Sequence, residues 1–134
     1  MKSLGQQIFD NLVKIGLIDE DANRRFEDHV KLKSGGFMDL TVELLSEKEP
    51  FYKLSMTHYG EQNGDLMADP DMEIMVDTEK KQVCPLTFRN DYVGVNQRVY
   101  DYEGNKNTAL HIDLLEFLKQ WTENIIMQGF KLTE

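Results

Sequence analysis

At 134 residues, with 40% hydrophobic and 10% aromatic content, the chain has the size and composition of one globular domain, residues 1–134, with enough core to need no disulfide or metal. No apolar run approaches the roughly 18 residues of a membrane span, and the early "MKSLGQQIFDNLVKIG" puts glutamines where a leader would be apolar; the expectation is a cytoplasmic protein with no membrane attachment. The net charge of -9 is concentrated, because Leu54 to Glu79 carries seven carboxylates and no lysine or arginine, leaving -2 elsewhere; such a field disfavours direct nucleic-acid binding and favours cations or a basic protein partner.

In chain order, Ser3 and Gln6 form a capping-box pattern, and Ile8, Leu12 and Ile15 recur on one helical face until Gly16. "IDEDANRRF" reads as a further turn or two of helix, capped by Asp19. The period then falls to two. Leu40, Val42 and Leu44 alternate with polar residues, as do Tyr52, Leu54 and Met56, and then Met72, Ile74 and Val76. Cys84, Leu86 and Phe88 continue the pattern; the single cysteine, in "VCPLTF", reads as a buried inert thiol. "YVGVNQRVYDY" supplies another strand, and "VGVNQRVY" is the candidate sheet edge through which a homodimer would form. Asn107 or Thr108 then caps a long helix with Leu110, Leu114, Leu118, Trp121 and Ile125 as its core stripe and Gly129 as its stop. Short connections make consecutive strands antiparallel neighbours. The expected fold is α+β: an antiparallel meander of about five strands with the N- and C-terminal helices packed on one face.

Residues 57 to 74, "THYGEQNGDLMADPDMEI", gather five carboxylates, a histidine, a tyrosine, an Asn-Gly turn and a proline. A two-residue turn at Asn63-Gly64 with regular pairing would set Leu54 opposite Glu73 and Met56 opposite Asp71, mixing apolar and charged groups on one face. A shift of one residue, through a three-residue loop at Gly64 or a bulge near Pro70, instead pairs Met56 with Met72, Leu54 with Ile74 and Tyr52 with Val76. By this parity His58 points to the core or its rim. Glu61, Asp69, Asp71 and Glu73 point the other way with Tyr59, so imidazole and carboxylates do not converge and no metal site is assigned.

No catalytic group or cofactor is assigned either. There is no nucleophile elbow, and the glycine pair at Gly35 and Gly36 precedes no helix that would make a phosphate loop. Pro70-Asp71 with Glu79-Lys80-Lys81 bears a superficial likeness to a metal-dependent nuclease pattern, but its second half falls in a turn.

The string "HYGEQNGDLMADPDM" resembles the signature H-Y-x-E-Q-N-G-D-L-M-x-D-P-x-M of an uncharacterised family of small bacterial proteins, often encoded on plasmids and conjugative elements. The resemblance marks His58, Tyr59, Glu61, Gln62, Asn63, Gly64, Asp65, Asp69 and Pro70 as motif positions, and implies no activity for them. A hairpin whose polar groups fix an unusual turn would carry the same signature, with Asp65 and Asp69 accepting backbone N–H groups and Glu61 and Gln62 bridging them.

Two functions follow as expectations. The first is a non-enzymatic accessory or interaction protein of a mobile element, meeting a protein partner through the acidic hairpin. The alternative is a divalent-metal-dependent hydrolase or nuclease using Glu61, Asp65, Asp69 and Asp71.

Overall fold

A computed structural model describes residues 1–133. Helix α1 spans Leu4–Ile15. Its start is the expected capping box, Ser3 accepting from the Gln6 N–H while the Gln6 side chain accepts from Ser3 N–H, and it ends at Gly16 with φ of 91°. A Cβ at Gly16 would collide with the Leu132 carbonyl oxygen, so glycine there serves both the left-handed turn and the close approach of the C-terminal segment.

The segment expected to continue as helix does not. Ile18 and Arg24 form an isolated antiparallel bridge around a tight turn with Ala22 at φ of 69°. Asp19 organises it by accepting from the N–H groups of Asp21 and Asn23, each at 2.9 Å. These short polar side chains bond their own backbone, which competes with helix formation and here prevails.

Seven strands follow where about five were expected: β1 (His29–Leu32), β2 (Leu40–Lys48), β3 (Phe51–Gln62), β4 (Asp65–Asp77), β5 (Gln82–Pro85), β6 (Thr87–Asn90) and β7 (Val95–Arg98). All described pairings are antiparallel, in the order β1-β2-β3-β4-β6-β7, with β5 also on β4. The extra count has two sources. The unassigned "HVKL" forms an edge strand, and one expected strand breaks at Leu86 into β5 and β6, which lie along the same side of β4, at Ile74–Asp77 and at Asp71. Strand β7 is the opposite edge.

Helix α2 (Thr108–Met127) is capped by Asn107, which accepts from Leu110 N–H, and the chain turns at Gly129 with φ of 88°. Leu114, Leu118, Trp121 and Ile125 are its buried stripe, as expected; Leu110 is packed at the margin. The two helices share one layer, where Asn11 Nδ2 donates to Thr122 Oγ1 at 2.9 Å. Below them lie Leu40, Val42, Leu54, Met56, Met72, Ile74 and Val76, essentially fully buried. Met56 pairs with Met72, Leu54 with Ile74 and Tyr52 with Val76, as the hydrophobic parity requires. Cys84 is half-buried, and burial pushes its thiol pKa up.

Candidate functional site: the bulged hairpin

Strands β3 and β4 reconcile two demands that differ by one residue. The core requires Thr57 opposite Asp71, whereas the tip is a two-residue turn with Gln62 opposite Asp65 and with Asn63 and Gly64 both left-handed, at φ of 54° and 84°. The surplus sits in β4, where Asp69 and Pro70 together face His58; of the two connections the sequence allowed, the bulge is the one formed.

The bulge corrects the expected sidedness. Alternation along β4 would send Asp69 outward with Asp71 and Glu73, yet Asp69 joins His58 and Pro70 on the helix side, around a cavity of about 210 Å³. Helix α2 contributes Trp121 and Asn124 to its walls, its C-cap contributes Gln128, and the segment before β2 contributes Phe37 and Met38. Alternation holds only in regular strand, and a bulge turns two successive side chains toward one side.

His58 is buried, with its ring against those of Trp121 and Phe130, each at 5.6 Å between centroids. Its Nδ1 lies 3.1 Å from the Met38 carbonyl oxygen and 3.2 Å from that of Asp39. Carbonyls only accept, so the hydrogen is assigned to Nδ1, leaving Nε2 with the lone pair. Burial lowers the pKa of this imidazole below the usual value, opposed by the two carbonyls and by Asp69.

Residues outside the motif fix the bulge. Asn90 Nδ2 donates to Asp69 Oδ1 at 2.7 Å, Ala68 N–H donates to Asp91 Oδ2 at 2.8 Å, and Asp91 N–H donates to the Ala68 carbonyl at 2.9 Å. On the outer face Thr57 Oγ1 donates to Asp71 Oδ1 at 2.9 Å. Arg89 lies 3.7 Å from Asp71 and, through Nε, 3.2 Å from Asp91, but that contact is off the line of a hydrogen bond and leaves Nε unsatisfied. These half-exposed pairs contribute little. The expected roles of Asp65 as N–H acceptor and of Glu61 and Gln62 as bridges are not seen; Asp91 is the acceptor and Asn90 the brace. In the sequence they belong to "RND", which has the composition of a short connection, and nothing local shows that its side chains reach a strand twenty residues earlier.

Beyond the bulge the hairpin leaves the sheet. Pairing with β2 ends at His58, and the last tie to the β6 side is at Ala68. Glu61, Gln62, Asn63, Asp65 and Leu66 are exposed, Leu66 at 66%. At about 3.3 Å per residue, Glu61 and Asp65 stand roughly 10–13 Å along the ribbon from the bulge. The structure therefore brings His58 and Asp69 together, places Tyr59 and Asp71 half-buried on the outer face, and carries the remaining candidates to the tip. Among the described residues, no three His, Cys, Asp or Glu side chains lie close enough to share a metal ion.

No helix among the described residues is long and apolar enough to cross a membrane. Neither a curated protein nor a solved structure matches the chain. A family model covers residues 7–131, from α1 to the segment after α2, and the chain thus belongs to a domain family of unknown function, DUF6908.

Proposed function

We propose that the protein is a non-enzymatic interaction protein that presents the β3–β4 ribbon to a basic protein partner. The observation that carries this reading is that the ribbon runs past its neighbours on both sides and exposes Leu66 beside Glu61 and Asp65, with no lysine or arginine from Leu54 to Glu79. A two-stranded ribbon is marginal in water by itself, so its length beyond the sheet adds little to the fold. What it does supply is two rows of unpaired backbone groups, an apolar anchor and a negative field that steers a cationic surface toward it. The motif resemblance adds a setting: the partner would belong to a bacterial plasmid or conjugative element, in the cytoplasm. A second copy docking along β7 is a separate mode that the exposed edge permits.

The test is affinity capture from the source organism with the tagged wild-type chain and with a triple variant, E61K, D65K and L66D. These positions are exposed, so the variant should fold as well as wild type by circular dichroism. The expected result is a protein captured by wild type and lost from the variant, more weakly held as salt is raised. Identical capture by both would refute the ribbon as the docking element.

A further inference from the structure

The cavity at the foot of the ribbon has a chemical character of its own. One wall is the Trp121 indole, 6% exposed, and another is the half-exposed Phe37 ring. The floor holds Asp69 beside an imidazole whose Nε2 carries a lone pair, and no lysine or arginine lines the space. Such a site has acceptors and aromatic rings but no positive charge to neutralise the carboxylate. We propose that it receives the ammonium group of a lysine side chain, presented by the basic partner that the ribbon engages; the inference rests on that reading for its partner but not for its chemistry.

Three features favour this ligand. A cation over an indole face gains from the ring quadrupole, and the gain grows as water is excluded. The aliphatic stem of lysine suits walls of Phe37, Met38 and Pro70. Asp69 Oδ1 is already engaged by Asn90 at 2.7 Å, so the planar fork of a guanidinium cannot take both carboxylate oxygens unopposed, whereas an ammonium needs only the other. The bulge is what makes the arrangement possible, because it alone brings a carboxylate to the helix side of β4.

The chain has one tryptophan, and it lines the cavity, so its fluorescence reports occupancy directly. The probe is n-butylammonium, with n-butanol and butyrate as matched controls at constant ionic strength. A saturable change in the millimolar range is expected for the ammonium alone. Nα-acetyl-lysine methylamide should reproduce it, since the proposed source is a peptide side chain. D69N should weaken binding about tenfold or more, as loss of a charge-assisted hydrogen bond implies, with the fold checked by circular dichroism. If D69N does not fold, M38R serves instead: it leaves Asp69 intact and sets a cation at the half-exposed rim, and it should abolish the response.

An equal response to butanol, a response retained in folded D69N or M38R, or no response to the blocked lysine would each overturn the proposal. The E61K, D65K, L66D variant should keep the butylammonium response. The two readings therefore fail separately: partner capture lost with that variant but no ammonium response anywhere sinks only the cavity proposal, and the converse pattern sinks only the ribbon.

Discussion

Removing the Asp91 carboxylate should loosen the bulge while leaving every motif residue in place. Ala68 is fully buried, and its N–H donates to Asp91 Oδ2 at 2.8 Å. D91A deletes the acceptor and leaves a buried donor unsatisfied, which costs about 1–3 kcal/mol. The ion pair of Asp91 with Arg89 adds ~0–1 kcal/mol at most, because both side chains are partly exposed and Nε is not in line for a hydrogen bond. D91N retains an oxygen that can accept from Ala68, so it should lose under about 1 kcal/mol. Urea denaturation followed by circular dichroism gives both values, and for a domain of this size D91A should lower Tm by about 3–10 °C. Equal losses in D91N and D91A would refute the hydrogen-bond account in favour of charge; losses within about 0.5 kcal/mol of zero in both would show that Asp91 does not hold the bulge.

Native-state hydrogen exchange should divide β3 and β4 at the bulge: Leu54, Met56, Met72 and Ile74 amides exchange by global unfolding, while those from Gly60 to Met67 exchange by local opening, and uniform protection along the hairpin would contradict the free ribbon. Because burial holds the His58 pKa below its ordinary 6.5, the unfolded chain takes up a proton that the folded chain resists, so His58 stabilises the fold above that pH and the benefit is lost on acidification below it. The urea midpoint should fall between about pH 7 and pH 5, and H58Q should flatten the fall. Thermal shifts with Mg²⁺, Mn²⁺, Ca²⁺ and Zn²⁺ test the hydrolase alternative: with Glu61 and Asp65 roughly 10–13 Å from the bulge, no millimolar addition should raise Tm, and a concentration-dependent rise would reopen that reading.

The layers of this fold were legible because their signals are local. Capping at Ser3, the stripe from Leu114 to Ile125 and the alternation in β3 and β4 each need only a few neighbouring residues, and the parity of Met56 with Met72 gave the central register. Three things were less legible, for different reasons. The turn at Asp19 replaced helix because side-chain bonds to backbone competed with a weak apolar pattern. "HVKL" became a strand only because β2 offers it an edge. Asp69 lies on the face opposite to the one parity gives it because parity presumes a regular strand, and the residues that hold the irregularity, Asn90 and Asp91, come from a segment whose partner cannot be read from spacing.

The surplus residue in β4 offers a direct way to separate fold from site. It is surplus against both neighbours: on the β3 side Thr57 faces Asp71 and Tyr59 faces Ala68, and on the β6 side Asp71 faces Arg89 while Ala68 bonds Asp91. Deleting Pro70 would therefore make both ladders regular at once, with Asp69 opposite His58 and Asn90, the Asn63-Gly64 turn unchanged and Met56 still opposite Met72. Deletion within a central strand ordinarily sends every later side chain to the wrong face, and deleting Met72 should do that, exposing the hydrophobic set of β4 and abolishing cooperative unfolding. Deleting Pro70 should instead leave a cooperative transition whose loss is bounded by the repacking around one removed side chain, about 1–3 kcal/mol. If the two deletions unfold the protein alike, the bulge is a structural necessity and the pairings above misstate its role. If the chain without Pro70 folds, the fold does not require the extra residue, and the reason for carrying it must lie in how it aims the ribbon and shapes the cavity beneath.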